Sequence, residues 1–487
     1  MIKSRYTILL FVVTLLVSCK PGGDNTATPP SKPNIIYILA DDLGYGDLSS
    51  YGQTKFETPN IDKLAENGIR FTQHYSGSTV CAPSRSSLLT GQHTGQTPIR
   101  GNKEIMPEGQ HPMPASAITV AEVLKEAGYT TGAFGKWGLG FTGSEGDPNN
   151  QGFDEFYGYN CQRQAHRYYP EHIWHNSEKV IMPGNDWSNT VTYAQDLIQE
   201  KTLEFIENNK DNNFFAYVPI LIPHAELLVP DDSIFALYDG KYEETPFVGS
   251  EGADYGPGLK VGKYCSQEKP RATFAAMVHR MDLYVGQIAA KLEALGIADN
   301  TIIMFSSDNG PHQEGGADPE FFNSNGNLRG YKRDMYEGGI RTAFIVHWPE
   351  KIKEGRESDH ISAFWDVLPT CAELAGAETP EGINGISMVP EIINEGEQAE
   401  HDYLYWEFHE HGGKQAVRKG NWKAVRLKVK KDRNAPLELY DLSTDEGEQN
   451  NIAKQHPEIV AEMVQIMNEA RTDSPLFNFG SKTFKGD

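Results

Sequence analysis

Cysteine is scarce in this chain: five residues in 487, with no two spaced as Cys-x-x-Cys. Zinc-finger and dithiol redox chemistry therefore have no basis. The spacing of Cys81, Cys161, Cys265 and Cys371 names no disulfide. Cationic residues are outnumbered, 44 Lys and Arg against 67 Asp and Glu, for a net charge of −23. Such a chain repels a phosphate backbone at long range, which argues against nucleic acid as a partner. Any anion must be met by a locally built site. No internal repeat is visible, and no apolar run reaches the ~18 residues that a membrane-spanning helix needs.

The one marked apolar run is Thr7–Val17, preceded by Lys3 and Arg5 and ending in Leu16-Val17-Ser18-Cys19. It is too short to span a bilayer and suits a signal-peptide core. Its end resembles a bacterial lipobox, which implies cleavage before Cys19 and lipidation of that cysteine. Residues 1–19 then form a lipoprotein signal peptide. Residues 20–33, rich in Pro, Gly, Ser and Thr, form a flexible tether. The expected location is outside the cytoplasm, periplasmic or on the cell surface, with membrane attachment by the lipid alone.

From residue 34 the pattern is α/β. Asn34–Asp42, Thr130–Trp137, Asn213–Ile220, Thr301–Gly310 and Thr342–Pro349 are short apolar strands. Between them, Pro59 opens a helix capped by Thr58, Thr119–Tyr129 repeats that design, and a clean amphipathic helix precedes Thr301. Such alternation predicts a large, mostly parallel sheet covered by helices on both faces. After about residue 395 the texture changes to antiparallel strands and a closing helix. The expected organisation is a catalytic α/β domain over 34–395 and a small α+β domain over 396–487. Residues 228–270 read as a long loop.

In parallel sheets ligands bind beyond the carboxyl ends of the strands, where Asp41, Asp42, Asp308 and Asn309 fall. Three carboxylates and an amide oxygen make a hard site suited to calcium or magnesium. Asp41 and Asp42 meet one ion only if the backbone turns there, because neighbours on a strand face opposite ways. Each pair alone also fits an ordinary strand-ending turn.

Between these acids lies Cys81-Ala82-Pro83-Ser84-Arg85. A buried structural thiol is its plain reading. Cys-x-Pro-Ser-Arg, however, resembles the maturation signature of type I sulfatases. The resemblance extends through Ala40–Asp47, Gly135–Gly140, Ile222–Ala225, Ser307–Gly310, Arg329–Arg341 and Tyr440–Ala453. It implies an alkaline phosphatase-like fold and a sulfuric ester hydrolase in which a maturation enzyme oxidises Cys81 to formylglycine (3-oxoalanine). It further implies Asp41, Asp42, residue 81, Asp308 and Asn309 around calcium, in preference to magnesium. Arg85 would pair with those oxygens. Lys136 and Lys332 would clamp the sulfate, and His224 would protonate the leaving oxygen. One hydroxyl of the hydrated aldehyde attacks sulfur, and loss of a proton from the other releases sulfate. The helix opening near Ser84 also aims N–H groups at an anion.

One position departs from the family pattern Gly-Lys-Trp-His-Leu-Gly: residue 138 is glycine. His312, His93 and His166 are candidates for the missing imidazole. Asn160–Asn176, rich in Arg, His, Tyr and Trp, suits a sugar ring, so Arg163, His166 and His312 are expected to bind substrate. His401–Gln415 is expected to cover the site from the small domain, and Asp359 and His360 to reach it. The substrate implied is a sulfated oligosaccharide or polysaccharide, cut by exo action at a galactose or N-acetylgalactosamine sulfate, at O4. A phosphoester or phosphonate hydrolase on the same fold is an alternative, and Gly138 prompts a non-catalytic glycan-binding lipoprotein as another.

Overall fold

The computed structural model describes Met1 and residues 32–186, 189–249 and 264–479. Cys19, the leader and nearly all of the tether lie outside the described residues. At the centre are five parallel strands in the order Thr301–Ser307, Asn34–Asp41, Phe214–Pro223, Thr130–Lys136 and Glu155–Tyr159. Asn34–Asp41 is buried along its whole length, as is Phe214–Pro223. A strand with helices on both faces has no solvent side, so its apolar residues run continuously rather than alternately. The sheet continues outward through Arg341–His347 and Ile69–Tyr75, each antiparallel to its inner neighbour, on one side, and through the hairpin His172–His175 and Glu178–Ile181 on the other. Arg341–His347 runs opposite to the strands around it, so the sheet is mixed at its margins and parallel at its heart.

The helices begin and end largely where their residues dictate. Val120–Glu126 opens on a complete capping box, Thr119 with Glu122, which satisfies two otherwise orphan donors. Thr58 stands at the N-cap of Pro59–Glu66, but its hydroxyl donates to the Asp62 carboxylate instead of accepting from the helix backbone. The helix before Thr301 is longer than its amphipathic stretch, Pro270–Leu295. The helix after Val80 begins at Cys81 and not near Ser84, and all ten of its residues are buried. In the 228–270 segment a short helix, Ser233–Ala236, forms before residues that lie outside the described set. Among the described residues no helix is long and apolar enough to cross a membrane.

A second, antiparallel sheet orders Leu404–Phe408, Lys414–Lys419, Trp422–Leu427 and Leu437–Asp441, and is covered by the helix Pro457–Glu469. Its other face meets the catalytic part through Trp406, Trp365, Tyr75 and Met335. The Trp406 indole donates to Ser76 O at 2.9 Å. At the same seam Lys423, wholly buried, donates to Glu337 at 2.7 Å and lies 3.5 Å from Glu448. Burial would lift the Glu337 carboxyl, but Lys423, Arg418 and Arg341 pull it down to about 2. A carboxyl depressed in the folded state stabilises above its unfolded pKa and loses that contribution as pH falls toward the folded value. Lys423→Met should therefore destabilise the fold by about 3 kcal/mol at neutral pH, the scale for removing one partner of a buried pair. In urea titrations the deficit should shrink between about pH 5 and pH 2.

Candidate active site

All five central strands end at one edge of the sheet, and each carries a polar residue at or just past that end. Register places Ala40 opposite Ser307 and Asp41 opposite Pro223. Asp41, Asp308 and His224 are thereby neighbours although far apart in sequence. The turn that lets two adjacent aspartates face one place is made by Asp42 itself, with φ +65°. This left-handed conformation is uncommon for a non-glycine residue, and Asp is among the few that tolerate it. It is held by the Asp42 N–H donating to Asp308 Oδ1 at 3.0 Å.

Around this turn charges interleave. Lys136 Nζ donates to Asp41 Oδ2 at 2.7 Å and lies 3.4 Å from the Cys81 sulfur. The Cys81 thiol is 3.5 Å from Asp41 Oδ1. Arg85, one turn along the same helix, sends Nε and Nη2 to Asp308 Oδ2 at 3.1 and 2.8 Å, and Nη1 to Lys136 O. Lys332 Nζ reaches Asp42 Oδ2 at 2.7 Å, His224 Nε2 at 2.9 Å and Glu314 Oε2 at 3.2 Å. The helix end itself offers less to an anion than its position suggests: the Ala82 N–H is taken by Asn102 Oδ1, and Pro83 has none.

Burial would raise the Asp41 carboxyl, but Lys136, His224 and Arg85 drive it far below the carboxylate range. Asp308 goes the other way, pushed up to about 7 by burial and by the Asp41 and Asp42 charges against the pull of Arg85. Burial also lifts the Cys81 thiol well above its usual value, against the pull of Lys136, so it carries its proton at neutral pH. The residues suit a hard cation. Asp41, Asp42 and Asp308 crowd one another, and Asn309 Oδ1 is buried without a hydrogen-bond partner while its amide nitrogen serves Asp42 Oδ1 at 2.7 Å. An orphaned buried oxygen beside three carboxylates is the signature of an oxygen-ligand site.

The His224 ring donates from Nδ1 to Ala225 O, and its Nε2 faces Asp42 and Lys332. Burial first, and Lys332 beside it, lower its pKa to about 4 against the pull of Asp42. His166 stacks on it with centroids 4.5 Å apart, and His312 lies at 5.6 Å. Both nitrogens of His312 are engaged by backbone, Nε2 donating to Pro223 O and Nδ1 accepting from Glu314 N. Arg163 stays outside the cluster, paired with Glu104 and reaching Pro107 O at 3.2 Å. His93 packs against Trp365 and Tyr405 at the seam with the small sheet. Asp359 and His360 line a separate hollow with Glu391, His401 and Arg418. Cys81, Cys161, Cys265 and Cys371 are all free thiols.

Sequence reasoning missed Glu314, Arg333, Tyr264, Glu410 and Gln162. Glu314 bridges Lys332 and Arg333, the latter at 2.5 Å, and these charges hold it far below the carboxylate range despite its burial. Tyr264 lies 5.5 Å from His166. Glu410, from the loop between the first two strands of the small sheet, is lifted by burial while Arg333 and Asn102 oppose the lift. Arg333 lies inside the recognised stretch Arg329–Arg341 without having been given a role, and Glu314 stands four residues past Gly310. Gln162 was marked only as part of the stretch Asn160–Asn176 expected to meet a sugar: its carboxamide packs over Gly138, φ +78°, where an added Cβ would stand 2.6 Å from its Nε2.

A parallel sheet whose carboxyl edge gathers acids, cations, a thiol and an imidazole defines an α/β enzyme that works on an anionic ester. The sulfatase family model matches residues 33–377, and that of the N-sulphoglucosamine sulphohydrolase C-terminal region matches residues 329–473. An N-acetylgalactosamine-6-O-sulfatase of Bacteroides thetaiotaomicron is 32% identical, over 96% of this chain and 99% of its own. Human arylsulfatase A is 30% identical over 93% and 91%. The crystal structure of Ps i-CgsB, also solved in complex with k-i-k-neocarrahexaose, is 28% identical at a TM-score of 0.73, covering 90% of this chain and 92% of that one. The chain belongs to the sulfatase family and is a sulfuric ester hydrolase of alkaline phosphatase-like fold.

Proposed function

We propose that this enzyme is an exported, lipid-anchored carbohydrate sulfatase that removes sulfate from a terminal galactose or N-acetylgalactosamine during breakdown of sulfated polysaccharide. The observation that carries it is the convergence of Cys81, Asp41, Asp42, Asp308, Lys136, Lys332 and His224 at one edge of the sheet. Four buried or near-buried cations, Arg85, Lys136, Lys332 and Arg333, supply the attraction for sulfate that a net charge of −23 withholds. The curated relative's name supports N-acetylgalactosamine and specifies O6. Our reading from the sequence is O4, so paired 4-O- and 6-O-sulfated sugars are the substrates to compare.

In this reading a maturation enzyme converts Cys81 to formylglycine, and Asp41, Asp42, residue 81, Asp308 and Asn309 hold calcium. The hydrated aldehyde supplies the nucleophile, and the cation supplies charge that steadies a sulfate oxygen and the hydrate. The protein's own groups do the rest. Lys136 and Lys332 donate to sulfate oxygens from fixed positions, so little reorganisation is needed as charge develops. Arg85 anchors Asp308 to the backbone of the Lys136 strand. The Nδ1–H of His224 is committed to Ala225 O, which leaves Nε2 as the nitrogen that handles the mobile proton, shared with Lys332. With its pKa lowered by burial His224 is neutral at neutral pH, so the proton that Nε2 passes to a departing sugar alkoxide is one it receives from the Lys332 ammonium beside it. His166 and His312 fix the ring plane by stacking. Tyr264, Arg333, Glu314 and Glu410 ring the mouth and provide the mix of aromatic face and polar groups that sugars require.

In protein produced with the maturation enzyme, the tryptic peptide bearing residue 81 should be about 18 Da lighter than the thiol form, the change from thiol carbon to aldehyde. An unshifted mass in an active preparation would sink the nucleophile. Calcium should raise the melting temperature of matured wild-type protein, by mass action on the folded state, and this rise should be absent in Asn309→Leu. His224→Ala should cut turnover of a sugar sulfate by ~10²-fold or more and that of an activated aryl sulfate far less. Equal losses would remove the acid role.

A further inference from the structure

The loop that follows the strand Glu155–Tyr159 places Gln162 in a position no motif marks. Three observations converge on it. Gly138 lies two residues past Lys136, just beyond the end of that strand, and the Lys136 ammonium is 3.4 Å from the Cys81 sulfur. The volume a side chain at 138 would fill is taken by the Gln162 carboxamide: a Cβ there would meet Nε2 at 2.6 Å and Cγ at 2.8 Å. Gln162 is 5% exposed, and its Nε2 is buried without an acceptor. A buried donor left unpaired is destabilising, so one kept in place asks for a reason. On its other side, Cys161 and Arg163 both contact Glu104, two residues beyond the Asn102 that accepts from Ala82 N, next to Cys81. Gln162 thus packs on the segment just after Lys136, and the residues on either side of it hold to Glu104, in the stretch whose Asn102 accepts from Ala82 N.

We propose that Gln162 is a positioning residue of the residue-81 pocket, its amide N–H donating to the anionic oxygen held there during turnover. The inference rests on the sulfatase reading above. Gly138 is then part of the same device, since only a residue without a Cβ at φ +78° leaves room for the glutamine. The chemical class recognised is a tetrahedral oxyanion of sulfur, and the contact is a neutral donor added beside the two lysines.

The test uses the matured full chain with the residue-81 mass shift verified. Gln162→Leu keeps the volume and removes the donor; Gln162→Glu keeps the shape and places a carboxylate against the anion. With an activated aryl sulfate, Gln162→Leu should lower kcat by ~10- to 100-fold with KM moved by less than ~3-fold, and Gln162→Glu should lower kcat further. The concentration of inorganic sulfate needed for half of its thermal stabilisation should rise ~10-fold in Gln162→Leu, the loss of one charge-assisted hydrogen bond. Gly138→His combined with Gln162→Ala should regain activity over Gln162→Ala alone, whereas Gly138→Leu with Gln162→Ala, which refills the space without a donor, should not; equal rescue by both would make the glutamine purely structural and overturn the proposal. Wild-type kcat and sulfate response in Gln162→Leu would overturn the proposal. If the wild type hydrolyses no sulfate ester, the functional reading fails. The sulfate-shift comparison would then decide on Gln162 alone, a lost shift keeping the donor and an equal shift removing it. If Gln162→Leu does not fold, Gln162→Glu provides the same readouts.

Discussion

Three carboxylates buried within one hydrogen-bond network are held together by cations, and the active edge of the sheet is organised around that balance. Asp41, Asp42 and Asp308 repel one another in a place water does not reach, so each needs a positive partner at contact. Lys136, Lys332 and Arg85 provide it, each from a different stretch of chain. The same cations are the groups that would meet sulfate. Structure and chemistry are therefore coupled: the charges that hold the Asp41 and Asp42 carboxyls low and oppose the rise of Asp308 are the charges a substrate anion would share. This also explains how a strongly acidic protein builds a sulfate site. It sets Arg85, Lys136 and Lys332, three of its 44 lysines and arginines, in one buried cluster.

The sheet makes that cluster possible because parallel strands deliver their carboxyl ends to a common edge. Asp42 alone adds a local departure, a left-handed residue that turns a side chain otherwise aimed at the opposite face. The small antiparallel sheet serves the site from the side. Its Trp406 and Lys423 seal the seam, and its first loop brings Glu410 toward Arg333. The surroundings of Arg333 thus draw on both sheets, and the buried charge cluster on the large one.

His224 shows how packing defines chemistry. Its neighbours are two imidazoles, an ammonium and a carboxylate, and its Nδ1 proton is committed to backbone. No single contact sets its proton affinity. Burial lowers its affinity for a proton, the Nδ1 bond selects which nitrogen acts, and the stack fixes where that nitrogen points.

Much of this was legible in the residues. The apolar strands, the capped helices and the change of texture near residue 395 follow from periodicity and composition, because those signals are local. The acidic strand ends and the cysteine signature also read directly, since each is a contiguous motif. What escaped were residues whose role depends on a fold-made neighbour. Arg163, in a loop rich in sugar-binding residue types, pairs with Glu104 instead of joining the cluster, and His360 turns to a different hollow. Glu314 and Glu410 are ordinary in sequence and become site residues because Lys332 and Arg333 come to them. Gly138 read as a missing group, while in three dimensions its place is filled by Gln162 from a neighbouring loop. The sequence by itself determined which strands end in acids and which helix carries residue 81. Only the tertiary structure decided which distant side chains share their pocket, because that depends on strand order and register, which no local pattern encodes.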